Sequence, residues 1–228
     1  MMRPGARIAL WGGAKLPYLC ELEFIESTGT QYIDTLLNST TDGFCNFEIS
    51  FQKTTTNTGV SDPGYNPPFG YKYASTARYG IWGGTNSSNT DLYAGIDVYN
   101  FAVLSKDTSW HTVKVENGVA VTIDGTSTQI GSGTVRGNIG LFLFANITSS
   151  SGSSSYIVVP SKISYCKIWN TSGVLLRDYI AVITYDFVPC MYDRVSGAFF
   201  YNVGTGSFIA GPAKDWVNAV DKARFGLT

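Results

Sequence analysis

Residues 110–125 read WHTVKVENGVAVTIDG, and the pattern of this stretch decides the fold class. Val113 and Val115 alternate with Lys114 and Glu116, Asn117-Gly118 interrupts, and Val119, Val121 and Ile123 then alternate with Ala120 and Thr122 up to Asp124-Gly125. A period of two buries one face of a strand and wets the other, as in an antiparallel sheet packed on a second layer. Asn-Gly and Asp-Gly adopt positive φ at little steric cost, which is the geometry of tight hairpin turns. The stretch therefore predicts two short strands around a tight turn, and it carries no chemistry of its own.

The same alternation recurs on both sides. Strands are expected over 19–26, 31–35, 79–82, 92–96, 99–104, 138–145, 163–169, 174–180, 190–193 and 198–201, and over 44–51, where Phe47, Ile49 and Phe51 share a face. Short strands with turn signals at regular spacing predict an all-β, two-sheet antiparallel sandwich. Residues 53–70 form a long loop dense in Thr, Asn, Gly and Pro, and 146–155 reads as a polar loop. Residues 1–16 are a Gly-rich arm, 17–211 the folded domain and 212–228 a tail. In the tail, Trp216, Val220 and Ala223 fall at i, i+4 and i+7, which predicts a short C-terminal helix with one apolar stripe. Trp11, Trp216 and Val220 are the candidates for docking on a partner subunit.

Composition excludes several classes. The 228 residues include only 14% charged side chains, with a net charge of −1, so no basic face is available for phosphates and nucleic acid is not an expected ligand. No run approaches the roughly 18 to 20 apolar residues that span a bilayer. The apolar piece from Ile8 to Trp11 is shorter than the roughly 7 to 15 residues of a secretory core, so no signal peptide is expected. Cys20, Cys45, Cys166 and Cys190 share no C-x-x-C spacing and read as buried free thiols, with three disulfide pairings open to them in an oxidising compartment as the alternative. With one histidine in the chain, zinc is not expected.

Several segments together carry a resemblance: W-H-x-V-x-V-x-N-G, I-D-G, I-G-L-F-L-F-A, K-I-S-Y-C-K-I-W and V-L-L-R-D-Y. Their order resembles the concanavalin A-like jelly-roll superfamily in its laminin-G and pentraxin-like branch. L-E-F-I-E-S-T-G-T-Q-Y-I-D-T near the start and M-Y-D-R-V-S-G-A-F-F-Y-N-V-G-T-G-S-F near the end are similar to domains of gut bacteriophage virion proteins and gut bacterial surface proteins. The resemblance implies two curved antiparallel sheets, with rim loops or the concave sheet available for a sugar that is sometimes held through calcium. No Asp/Asn cluster here matches those metal-ligand motifs.

Sugar recognition needs rings that stack on a pyranose and amides or carboxylates that bond its hydroxyls. Tyr65, Phe69, Tyr71 and Tyr73 surround the long loop; Trp82 leads into Asn86, Asn89 and Asp91; Tyr93, Asp97 and Tyr99 follow. These are the candidate glycan-binding residues. Glu21, Glu23 and Glu26 nearly match the carboxylate spacing of glycoside hydrolases, but a regular strand puts Glu26 on the opposite face from the other two unless a bulge shifts it. His111 starts a strand and has no nucleophile or acid nominated around it. The expectation is a non-catalytic, virion-exposed module that engages host-surface or mucosal glycans and is present in many copies or as a homo-oligomer. The alternative is a structural virion subunit, and a glycan hydrolase ranks below both.

Overall fold

The computed structural model describes residues 16–54, 68–73, 77–83, 92–97, 99–105, 107–135, 137–138, 140–150, 153–158 and 160–214. Among the described residues there is no helix, and the strands are β1 Cys20–Glu21, β2 Ile25–Ser27, β3 Ile33–Asn38, β4 Phe44–Lys53, β5 Phe69–Tyr73, β6 Ala77–Gly83, β7 Leu92–Gly95, β8 Phe101–Leu104, β9 Trp110–Glu116, β10 Ala120–Ile123, β11 Thr126–Gln129, β12 Gly140–Leu143, β13 Ala145–Ser150, β14 Ser153–Val158, β15 Ser161–Asn170, β16 Leu175–Ile183, β17 Pro189–Asp193, β18 Ala198–Phe200 and β19 Ile209–Ala210. The C-terminal helix expected around Trp216 and Val220, and the arm with Trp11, lie outside the described residues.

Two sheets pack together. The larger runs β11-β10-β9-β4-β15-β16-β17-β18, with β1 on β16, β2 on β15 and β19 on β2. The other contains β14-β13-β5-β12-β3 and β6-β7-β8, and among the described strands every pairing is antiparallel except β13 beside β5. β5 and β6 meet at Gly70 and Gly80. A Cβ on Gly70 would lie 2.1 Å from the Tyr79 carbonyl oxygen, and both glycines hold positive φ, 127° and 103°. The core lies between the layers, where Phe47 of the large sheet meets Phe69 at 4.9 Å and Tyr79 at 5.3 Å between ring centroids.

The hairpin of residues 110–125 forms as its pattern demands, and Val113, Val115 and Val121 are buried. Its two turns differ. Asp124 and Gly125 both take positive φ, the two-residue turn that leads into β11, whereas around Asn117-Gly118 only the glycine does and Val119 is left exposed.

Other expectations change. The polar loop expected over 146–155 is largely strand: β13 and β14 pair from Ala145↔Val158 to Ser150↔Ser153. A serine-rich segment has little β-propensity, so the ladder here comes from neighbours and not from side-chain preference. The strand expected over 19–26 breaks after Leu22. The buried positions shift from Cys20 and Leu22 to Ile25 and Ser27, and the two halves pair with different partners, β16 and β15. That break puts Glu26 on the outward side with Glu21 and Glu23. Residues 212–214, expected to begin the tail, instead join the sheet: Leu22 bridges Ala213, and Lys214 N–H donates to the Glu21 carbonyl. All four cysteines are buried and free. Burial pushes the Cys190 thiol up to about 12 and raises the Cys166 thiol well above its ordinary value.

Candidate functional site

Among the described residues, the glycan candidates read from the sequence do not form one platform. Tyr65, Asn86, Asn89 and Asp91 lie outside the described residues. Tyr71 is 0% exposed, a core ring stacked 5.9 Å from Tyr79, so it presents no face to a sugar. Trp82 is 3% exposed because Tyr93 and Phe101 occupy its sides, at 6.4 and 6.1 Å. Strand parity points Tyr71 inward, and neighbouring rings cover Trp82. Trp82 and Tyr93 do come together as a cross-strand pair. Asp97 is committed to its turn, where its Oδ1 accepts the Tyr99 and Asn100 N–H groups at 2.8 and 2.9 Å, and Tyr99 projects from that turn 82% exposed.

The large sheet's outward face carries the better-built surface. In register, Gln52, Ser50, Glu48 and Asn46 of β4 alternate with buried Phe51, Ile49 and Phe47, so the residues opposite them face the same way. From β9 these are Trp110, Thr112 and Lys114; from β15 they are Lys162, Tyr165, Lys167 and Trp169. A bulge between Ile163 and Tyr165 turns Ser164 outward as well. Two depressions open on this face. One, about 290 Å³, is lined by Asn46, Lys114, Val115, Glu116, Trp169 and Gly173. The other, about 280 Å³, is lined by Glu23, Ser50, Trp110, Ser164 and Lys214. Trp110 is 40% exposed and leans on Phe24 at 5.7 Å. Between the depressions Tyr165 donates its hydroxyl to Glu48 Oε1 at 2.8 Å; burial, and then that bond, push its pKa up to about 12, so it stays a neutral donor.

In the sequence Trp110 reads only as a strand start, and Tyr165 and Trp169 only as members of the 163–169 strand. The signal was present in the parity of 44–51 against 110–116: once Phe47, Ile49 and Phe51 are inward, the residues paired with Asn46, Glu48, Ser50 and Gln52 must be outward.

The hydrolase and histidine motifs resolve differently. Glu21 sits 3.9 Å from Lys214 and accepts the Tyr18 hydroxyl at 3.1 Å, and Glu26 sits 4.0 Å from Lys162. His111 is buried with Nδ1 2.7 Å from Asp124 Oδ2 and Nε2 3.0 Å from Asp107 Oδ1, so both ring nitrogens are spoken for by carboxylates. The histidine thereby pins the start of β9 to the segment before it and to the turn between β10 and β11.

Asp107 is held down to about 2, chiefly by the Ser109 N–H on its Oδ1 at 2.7 Å. A carboxyl whose folded pKa is depressed contributes stability that is complete above its unfolded value, about 3.9, and is lost as pH falls through the folded one. Urea midpoints measured between about pH 5 and pH 2 should therefore fall less steeply in Asp107→Ala than in the parent. Parallel curves would remove Asp107 from the acid response.

The two end motifs prove to be one joint. Gln31, buried, takes Thr28 N–H on Oε1 at 2.8 Å and donates Nε2 to the Thr205 carbonyl at 3.1 Å. Thr205 N–H donates to the Thr30 carbonyl, and Tyr32 N–H to Asn202 Oδ1, both at 3.1 Å. No family model matches the chain, and no match to it is found among curated proteins or solved structures.

Proposed function

We propose that the protein is a non-catalytic carbohydrate-binding module of concanavalin A-like jelly-roll type, carried on a bacteriophage virion and engaging host-surface or mucosal glycans. The observation that carries this reading is the outward face of the large sheet. There, Trp169 and Trp110 each line a depression that also holds groups able to bond hydroxyls: Asn46, Lys114 and Glu116 in one, Ser50, Ser164 and Glu23 in the other. Rings that stack on a pyranose beside converging donors and acceptors are what sugar recognition requires. The virion setting rests on the similarity of the two end motifs. The non-catalytic reading is supported by the ion pairs of Glu21 and Glu26 with lysines, which leave Glu23 alone at the depression.

A glycan array probed with the purified protein, with and without calcium, tests the reading. Trp169→Ala should weaken the strongest hit at least tenfold, about 1.4 kcal/mol. A blank array on folded protein would overturn it. A second reading, a subunit that packs on virion neighbours and binds no sugar, is favoured by one feature. Tyr185, Phe187 and Val188 at the turn between β16 and β17, with Leu16 beside them, expose four large apolar side chains in one place. A blank array combined with loss of assembly in Phe187→Ser would select it.

A further inference from the structure

The two depressions share one face, and their separation says what kind of sugar chain fits. On β4, Trp110 lies opposite Gln52 and Trp169 opposite Asn46, on the two strands that flank β4. Six residues of strand rise and two strand spacings place the rings about 20 Å apart along the strands and about 10 Å across them. The floor between them is continuous: Ser50 and Thr112 as a cross-strand pair, Glu48 holding the Tyr165 hydroxyl, and Lys167 with its Nζ 5.9 Å from the Tyr165 ring. One or two sugar rings cannot reach both tryptophans.

Charge narrows the class. Lys114 pairs with Glu116 at 2.9 Å, Lys214 with Glu21, Lys162 with Glu26 and Arg194 with Asp178 at 2.8 Å, while Lys167 stands in register with Glu48. The cations are matched by carboxylates, so the face offers no excess positive charge to a sulfate, sialate or uronate. Flat aromatic rings stack best on sugars whose hydroxyls are all equatorial.

We infer that the face takes a linear, neutral, β-linked chain of gluco-configured sugars lying diagonally from the Trp110 depression over Tyr165 to the Trp169 depression. This rests on the reading that the face binds sugar. Two weak subsites joined by one ligand gain affinity by effective concentration, on the order of a hundredfold or more once the ligand spans both.

Calorimetric titration with cello- and chito-oligosaccharides of two to six units decides it. Affinity should rise at least about a hundredfold between the dimer and the longest chain. Trp110→Ala and Trp169→Ala should each remove that gain and leave the weak affinity of one subsite, Trp169→Phe should keep most of it, and the double variant should lose the residual binding as well. Equal affinity for short and long chains, or a gain that depends on one tryptophan alone, would overturn the inference while leaving sugar binding in place. Array hits confined to branched or anionic glycans and lost in Trp169→Ala would do the same. A folded protein that binds no glycan on the array or in the titration overturns both.

Discussion

Asp193→Ala should cost the protein about 3–5 kcal/mol, the loss expected when one partner of a buried charged network is removed. Asp193 is fully buried at the end of β17. Its Oδ1 accepts the Asp178 and Val195 N–H groups at 2.8 and 3.1 Å; its Oδ2 accepts the Ser196 N–H at 3.2 Å and the Ser196 hydroxyl at 2.6 Å, with Arg177 Nε 3.7 Å away. Alanine would leave three backbone donors and a guanidinium facing an apolar methyl, and the turn into β18 would keep only its backbone bond from Gly197 N–H to the residue 193 carbonyl. Asn is no rescue, because its amide nitrogen would face the N–H groups that the second carboxylate oxygen now accepts. Urea denaturation followed by tryptophan fluorescence measures the cost. Ser196→Ala, which removes one of the four bonds, should cost about 1 kcal/mol. An Asp193→Ala midpoint within error of the parent would mean that the network is dispensable.

Gly70→Ala is the second large effect, and its cause is steric. The new Cβ would sit 2.1 Å from the Tyr79 carbonyl oxygen and 3.1 Å from the Gly80 Cα, at a backbone φ of 127° that L residues avoid. Neither strand can retreat, because Phe69 and Tyr79 on either side of the contact are core residues packed on Phe47. Backbone strain and overpacking together should cost about 2–6 kcal/mol. Gly125→Ala is the control. Its φ is 85° but nothing lies within 4 Å, so only the left-handed penalty of about 1–2 kcal/mol applies. Thermal unfolding should separate the two variants clearly, and equal losses would mean that conformation and not contact governs Gly70.

The layers were legible where a strand buries one face. The alternation of 44–51 and 110–116 gave β4, β9 and their inward residues directly, because parity admits only two answers. β13 and β14 were hidden because serine and threonine signal turns, while their backbones found partners in β5 and in each other. The site was less legible for a related reason. Aromatic residues beside polar loops are where a platform is expected, yet Trp82 and Tyr71 there are buried by their neighbours. The half-exposed Trp110, Tyr165 and Trp169 sat in strands, where an aromatic ring is read as core unless its partner across the sheet is known. Pairing register, which brings residues more than a hundred positions apart side by side, is the missing quantity.

The joint between Gln31 and Thr205 has a consequence for how the chain reaches this state. These residues are 174 positions apart, and the contact also fixes Gly204, where a Cβ would come within 2.0 Å of the Thr30 carbonyl. Contacts of such long sequence separation pay their loop-closure entropy before they are rewarded, and they slow folding accordingly. During synthesis the first strands must wait with an unclosed edge until the last motif leaves the ribosome, so a nascent chain stalled before Thr205 holds most of its strands and not the clasp that shuts them.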